Sequence, residues 1–461
     1  MLIREFHESV DAETLLAAFG SQLYGFLLDS ARSSSGRGRY CFAGAAPFLV
    51  FRAFGSRCEM TDASGRLLVE LGDPWAKLRA LLARYRFATP YSDFPFFGGA
   101  VGYFSYEAGS ALERVAPASP ASPAERGEPD MVWGFYEAVV VLDALERRCH
   151  LVASEVGGRD PEALLAGLQA RLAGASRAAP VAQPGATSAP RSDFSRPEFE
   201  AAVQRVREYI AAGDVYQVNL AQRFSCDLPC APVELYRRLR ARTPAPYGAF
   251  LNFPEQQIAS ASPELFLELR GRRLVTRPIK GTRPRGLTEP EDAALAEELL
   301  QSEKDRAELL MIVDLERNDL GRVCRPGSVR VDELRALEEH PTVWHTVAEI
   351  SGELAAGADA IDAILAAFPG GSITGAPKVR AMQIIAELER ARRGVYTGAI
   401  GYLGFDGDVA LNIAIRTIVC RDGRATYHVG GGMVWDSDPA AEYEETLAKG
   451  RALHEALTTA T

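Results

Sequence analysis

The chain has 461 residues, a net charge of −10 and a pI near 5.4. That length allows two or three ordinary domains and a large core, and the acidic balance argues against nucleic acid as a partner. It leaves anionic small molecules open, because a few arginines can build such a site inside an acidic protein. The seven cysteines are odd in number and form no CxxC pair, so reduced thiols are expected and not disulfides or zinc. Residues 1–20 carry four acidic side chains and no apolar signal core, and no apolar run is long enough to span a bilayer. The expectation is a cytoplasmic protein without a membrane partner.

In chain order, strands are expected at 40–51, 98–106, 131–142 and 149–154, with a helix at 74–86. Residues 173–192, AGASRAAPVAQPGATSAPRS, are Ala, Pro, Ser and Gly with little to bury. They read as a linker. It divides an N-terminal region, 1–172, from a C-terminal one, 193–461. Ser195-Arg196-Pro197-Glu198 then opens a helix, with an N-cap Ser, Pro in the first turn and Glu at the third position. Phe199, Val203, Val206 and Ile210 follow at helical spacing. Residues 215–220 alternate like a strand. Further helices are expected at 291–318, 359–367, 376–393 and 439–458, and strands at 247–253, 264–276, 398–405, 409–420 and 425–431. Helices and antiparallel-looking strands come in blocks, which predicts an α+β fold and not a doubly wound sheet.

Several residues carry chemistry. Lys280 lies in RPIKGTRPRG, among rigid Pro and Gly and beside Arg277, Arg283 and Arg285. Like-charged neighbours disfavour a protonated amine, and a neutral amine is a nucleophile. A solvated anion-binding loop is the alternative. Asp305 and Glu308 are three apart on one expected helix, and Glu442 and Glu445 on another. Two such pairs could surround one hard cation, Mg²⁺, shared with an anionic substrate; solvated helix faces are the competing reading. PGGSITGAPK at 369–378 leads into a helix whose free N–H groups could hold an anion. It lacks the Walker pattern, and a tight turn would also explain it. Arg416 sits in the apolar run LNIAIRTIV and needs a partner, either a ligand carboxylate or an internal salt bridge. His345, in VWHT, would alone read as a core histidine.

Taken together, the chain resembles the chorismate-utilising enzymes: anthranilate synthase component I, aminodeoxychorismate synthase component I, isochorismate synthase and salicylate synthase. The resemblance rests on SASPELF at 260–266, PIKGT at 278–282, SEKDRAE at 302–308, IVDLERND at 312–319, the 370–378 loop, GAIGY at 398–402, AIRT at 414–417 and DSDP at 436–439 through Lys449. GGAVGY at 98–103 and LLDS at 27–30 resemble the amine-transferring branch. The isochorismate and salicylate enzymes carry a lysine base where this chain has Gln217. Anthranilate synthases usually carry Ala where it has Lys280; PIKGT resembles the aminodeoxychorismate synthase branch.

The resemblance implies two packed, mainly antiparallel sheets with helices outside. It implies amination of chorismate at C4, giving 4-amino-4-deoxychorismate for p-aminobenzoate and folate synthesis, with anthranilate formation as the alternative. It implies Lys280 as the nucleophile at C2 and Glu264 as the general acid. Glu308 and Glu445 would hold Mg²⁺, with Asp305 and Glu442 assisting. Tyr396 and Arg416 would hold the enolpyruvyl carboxylate, and Ser372, Thr374, Gly375, Gly432 and Lys449 would line the remainder with His345. Ser30, Pro246, Tyr247 and Gly248 match parts of the family's tryptophan pocket, beside Asp29 where Glu is usual. Ammonia would come from a separate glutamine amidotransferase subunit.

Overall fold

Apolar residues on both faces of successive strands require burial on both sides, and the computed structural model meets that demand with two stacked sheets. It describes residues 1–30, 38–88, 94–115, 127–175, 188–341 and 343–458. Within these, every strand pairing is antiparallel and the strands form two sheets of 12.

The first sheet runs Leu2–Phe6, Arg148–Ala153, Ala138–Asp143, Tyr40–Gly44, Gly25–Asp29, Tyr247–Asn252, Gln257–Ser262, Thr417–Arg421, Arg424–Met433, Gln217–Asp227 and Arg191–Ser192, with Gly375–Ala376 also on Gln217–Asp227. The second runs Ile279–Pro284, Val343–Glu353, Arg273–Arg277, Leu265–Arg270, Val409–Ile413, Ala399–Gly404, Gly99–Phe104, Met131–Tyr136, Leu49–Phe54, Arg57–Asp62 and Leu67–Leu71, with Arg330–Glu339 on Val343–Glu353.

Phe26, Phe42, Val139, Leu251 and Ile258 of the first sheet meet Val50, Tyr103, Val132, Ile400 and Tyr402 of the second in one buried cluster. The sheets therefore pack face to face. Helices cover the outer faces. Leu16, Leu165, Leu239 and Leu453 pack on the first sheet, and Leu78, Val313, Ile364 and Met382 on the second. This is the expected α+β sandwich. No helix among the described residues is long and apolar enough to cross a membrane.

The two regions flanking the expected linker share both sheets. Gly25–Asp29 pairs with Tyr247–Asn252 in one, and Gly99–Phe104 with Ala399–Gly404 in the other. Of the linker itself, 176–187 lie outside the described residues, and its end forms the strand Arg191–Ser192.

Three expected long strands are each two strands in different sheets. The 40–51 run divides into Tyr40–Gly44 and Leu49–Phe54, and 131–142 into Met131–Tyr136 and Ala138–Asp143. The 409–420 run divides into Val409–Ile413 and Thr417–Arg421. Both halves of each are apolar, so the crossing leaves no gap in the hydrophobic pattern. Glu137 marks one corner: it is fully buried and accepts the Gly157 N–H at 2.6 Å. Arg416, at φ +50°, marks another. The expected helix 291–318 is also two, Glu289–Gln301 and Glu303–Gly321, because Ser302 takes an extended backbone and caps the second through Asp305 N–H at 3.2 Å.

One buried ion pair clamps the first sheet to the loop beyond helix Lys378–Leu388. Arg393 donates to Glu389 at 2.7 Å, to Asn219 O at 2.8 Å and to Ile373 O at 3.0 Å. Arg393→Ala should cost roughly 3–5 kcal/mol, because Glu389 is left buried without its countercharge. Chemical denaturation of both proteins checks this; an unchanged midpoint would contradict it.

Candidate active site

Lys280 rises from Ile279–Pro284 where that strand's register with Val343–Glu353 shifts, between the pairs Ile279–Val347 and Thr282–His345. Gly281 makes the shift possible at φ +83°. The amine reaches Glu308 Oε1 at 2.8 Å. The expectation of an amine crowded by guanidinium groups fails here. Arg277 pairs with Glu338 and Glu349, Arg283 with Glu298 and Asp305, and Arg285 with Asp292 and Glu339. Lys280 instead faces a carboxylate.

Glu308 projects from helix Glu303–Gly321, and the same Oε1 accepts from Gln217 Nε2 at 2.5 Å. Burial pushes the Glu308 carboxyl up, but Lys280 and Gln217 outweigh it and hold it below the usual range. Helix Pro439–Thr458 presents Glu442, Glu445 and Lys449. Glu445 pairs with Lys449 at 2.6 Å, and Glu442 accepts from Ser437 at 2.6 Å. Glu445 is half-exposed; partial desolvation pushes its carboxyl up, but Lys449 and Lys304 outweigh it and hold it low, whereas Glu442 is pushed up by burial, which Ser437 opposes and Glu445 reinforces.

Glu264 closes the other side of Lys280. It is 4% exposed. Burial pushes its carboxyl up to about 7, against the pull of the Ser372 hydroxyl, Lys280 and Arg416. A carboxylic acid that keeps its proton near neutrality is suited to general acid catalysis. Arg416 makes no ion pair among the described residues and bonds only the Thr243 hydroxyl at 3.5 Å. That removes the internal salt bridge and leaves a guanidinium fork for a ligand carboxylate. His345 is buried, with Nδ1 at 2.8 Å from the Thr282 hydroxyl; burial, Arg416 and His340 hold it well below its usual value, hence neutral.

Thr374 is tied to Gly370 O at 2.9 Å, and its own carbonyl accepts Asn219 N–H at 2.9 Å. Gly375 pairs with Val218 beside them. Tyr396 stacks on His428 at 5.0 Å, and burial pushes its phenol to about 12. The structure thus groups Lys280, Glu308, Gln217, Gly432, Glu445, Glu442 and Lys449 on one side, and Glu264, Ser372, Arg416 and His345 on the other, sharing Lys280.

The four expected metal ligands do not all converge. A Cβ on Gly431 would lie 3.4 Å from Glu442 Oε2 and 3.6 Å from Glu445 Oε1, and one on Gly432 only 2.9 Å from Glu308 Oε1. Glu442 and Glu445 therefore stand over Gly431 and Glu308 beside Gly432, near enough for Glu308 and Glu445 to act on each other. Asp305 is held by Arg283 at 3.1 Å. Among the described residues no three acidic, His or Cys side chains stand together as a group that could hold a metal ion. The donors are all carboxylate oxygens, the type a hard dication takes, and water and substrate oxygens would have to complete its shell.

Ser30, Pro246, Tyr247 and Gly248 line a separate cavity of ≈ 280 Å³ between the sheets, with Arg39 and Glu268. Asp29 at its wall is already engaged by Tyr236, at 2.9 Å, and by Arg240.

Sequence reasoning passed over Glu316 as a site residue. It is buried, and Thr276 bonds it at 2.9 Å. The signal was present: Glu316 falls on the stripe of Leu309, Ile312, Val313 and Leu320, the buried face of its helix.

Comparison with known proteins places these residues in context. Residues 31–455 match the model for chorismate binding enzymes. The aminodeoxychorismate synthase component 1 of Bacillus subtilis is 41% identical over 445 residues, 95% of this chain and 92% of that protein. The anthranilate synthase component 1 of Pseudomonas putida is 40% identical over 449 residues, 94% and 90% of the two. The crystal structure of anthranilate synthase component I from Streptococcus pneumoniae superposes with a TM-score of 0.79 at 33% identity, covering 90% of this chain and 92% of that one.

Glu308→Gln and Glu445→Gln should each weaken Mg²⁺ binding by roughly tenfold or more, a loss that even an outer carboxylate partner produces at a metal site. Calorimetric titration measures it. Wild-type magnesium affinity in both variants would remove these two side chains from the site.

Proposed function

From the chain's membership of the chorismate-binding enzyme family, we propose that it replaces the C4 hydroxyl of chorismate by ammonia, giving 4-amino-4-deoxychorismate. The observation that carries this reading is a buried acid, Glu264, poised near neutrality within the electrostatic reach of Lys280, whose amine is held by Glu308 at 2.8 Å.

In this scheme Lys280 first gives its ammonium proton to solvent, and the neutral Nζ then bonds to C2 of the ring as the C4–oxygen bond breaks. Glu264 gives its proton to that oxygen, which leaves as water. Ammonia then bonds to C4, the Nζ–C2 bond breaks, and the surplus proton returns to Glu264. The Arg416 guanidinium and Tyr396 orient the enolpyruvyl carboxylate, while Ser372, Thr374 and Gly375 shape the wall beside Glu264. Glu308, Glu442 and Glu445 would hold Mg²⁺, which when bound supplies positive charge for the ring carboxylate. Asp305, paired with Arg283, would assist this set through water.

All seven thiols are pushed up by burial. None has the lowered value of a nucleophilic cysteine, which favours ammonia delivered by a separate glutamine amidotransferase. The second reading is anthranilate synthesis, supported by relatives of that name at similar identity. It requires ammonia at C2, next to the volume that Lys280 fills.

The deciding experiment incubates the purified protein with chorismate, Mg²⁺ and ammonium and identifies the product by mass spectrometry. Aminodeoxychorismate is expected; anthranilate as the sole product would reverse the assignment. Ammonium should support turnover where glutamine alone does not, and glutamine-dependent turnover by the purified chain would contradict the separate amidotransferase. Lys280→Ala should abolish a covalent chorismate adduct in intact-protein mass spectrometry. An aminodeoxychorismate rate equal to wild type, with no adduct in either protein, would leave Lys280 a steric element. Because Glu264 acts protonated, turnover should be full below pH 7 and fall as pH rises through it. A kcat level from pH 6 to 9 would exclude Glu264 as the acid.

A further inference from the structure

Glu316 lies behind Glu264, in a region that the proposed reaction does not use. Its carboxyl is 7% exposed. It projects from the buried face of helix Glu303–Gly321 toward Arg273–Arg277, whose Thr276 hydroxyl lies 2.9 Å from Glu316 Oε2. The same hydroxyl lies 2.8 Å from the carbonyl oxygen of Phe266. Phe266 follows Leu265 at a register shift in both neighbouring pairings, two residues from Glu264.

A hydroxyl has one proton, and Thr276 Oγ1 has two oxygens in hydrogen-bond range. The Phe266 carbonyl carries no proton and can only accept. If Thr276 turned its proton toward an ionised Glu316, that one proton would be shared with or lost from the Phe266 contact. Both contacts are full hydrogen bonds only when Thr276 donates to Phe266 and Glu316 donates its own proton to Thr276. The geometry therefore favours a protonated Glu316.

The charges around it agree. Among the described residues no cation forms an ion pair with Glu316. Lys378, the nearest candidate, is committed to Asp319 at 2.7 Å and to Ala367 O at 2.9 Å. The other groups acting on Glu316 are Glu264 and Asp319, both acidic; Arg322 and Glu113 act on Asp319 from the helix end and from the N-terminal region. Burial pushes Glu316 up to about 8, reinforced by Glu264 and Asp319 and opposed by Lys378; a Thr276 proton turned toward Glu316 would oppose it as well.

We propose that Glu316 is a positioning residue, held as a neutral carboxylic acid behind Glu264, and that its neutrality keeps Glu264 a strong enough acid to protonate the leaving hydroxyl. The proposal rests on the reading of Glu264 as the acid. When Glu264 gives up its proton it becomes a buried carboxylate. Beside a neutral Glu316 that anion meets no like charge; beside an ionised Glu316 it would, and transfer would be disfavoured. The Glu316 proton itself stays in place throughout turnover. The reactive form therefore needs both carboxyl groups protonated, and the two titrate as a coupled pair.

Infrared difference titration of the protein without substrate tests the first half. Near pH 6, wild type should show buried protonated-carboxyl bands that include one from Glu264 and one from Glu316, beside that of Glu107. Glu264→Gln should lack the first and Glu316→Gln the second. Thr276→Val should shift the second band without abolishing it, because it removes the acceptor of the Glu316 proton. If Glu316→Gln loses no band, Glu316 is ionised and the proposal is overturned. Should Glu316→Gln not fold, a band that survives in Glu264→Gln and shifts in Thr276→Val supports the assignment, and the absence of any such band overturns it.

The pH dependence of kcat tests the second half. Above about pH 8 the wild-type rate should fall by up to about a hundredfold per pH unit, two protons, but in Glu316→Gln by about tenfold, one proton. Identical limbs would show that Glu316 does not set the acid. Full activity in Glu264→Gln would defeat the reading of Glu264, and with it this half alone; the infrared bands still decide whether Glu316 is neutral.

Discussion

The contact of Lys280 with Glu308 is the join on which the site depends. It links the edge strand of one sheet, Ile279–Pro284, to the long helix Glu303–Gly321. Gln217 adds the first sheet, because its amide meets the same carboxylate oxygen. Three elements distant in sequence therefore converge on one atom, and each partner limits where the others can stand. Gly432 completes the constraint: a Cβ there would come within 2.0 Å of Gln217 Nε2, so only glycine admits the amide. Charge balance follows the same logic. Glu308 and Glu445 each carry a lysine partner, which offsets the repulsion between them.

The N-terminal region supports this site without supplying its reacting groups. Glu107, on helix Tyr106–Leu112, accepts the backbone N–H groups of Arg393 and Gly394 at 2.9 and 3.0 Å. That bond holds the turn before Tyr396, whose ring stacks on His428. Burial pushes the Glu107 carboxyl to about 7, and the two N–H groups with Arg392 favour its charged form. The continuous sheets give the same result at larger scale. In each sheet a block of strands from before the expected linker adjoins a block from after it at one seam, so the C-terminal region's sheets are completed by the N-terminal one.

The chemistry of the site was more legible in the sequence than its geometry. Helical spacing placed Glu308 with Asp305, and Glu442 with Glu445, on shared helix faces, but it could not reveal that Arg283 takes Asp305 away. The three arginines beside Lys280 looked like neighbours because they are close in sequence. In a strand, alternate side chains leave on opposite faces, and each guanidinium finds its own carboxylate. The α+β class followed from blocks of helix and strand. The corners did not, because a strand that crosses between two buried sheets stays apolar on both sides of the crossing. Arg416 at such a corner was visible only as a charge in an apolar run, and the positive φ that turns the chain there left no other mark in the pattern.

The placement of the bases and acids bears on which nucleophile this chemistry admits. Water must lose a proton as it attacks, so it needs a base at its end of the ring. At the Lys280 end the carboxylate of Glu308 is held low and engaged by two donors, and Gln217 is an amide with no basicity. Glu264 and Glu316, on the far side, are acids that hold their protons near neutrality. Ammonia requires no such base, since it attacks as a neutral molecule and sheds its surplus proton after the bond has formed. A site rich in acids and poor in free bases is therefore better matched to ammonia than to water as an attacking group.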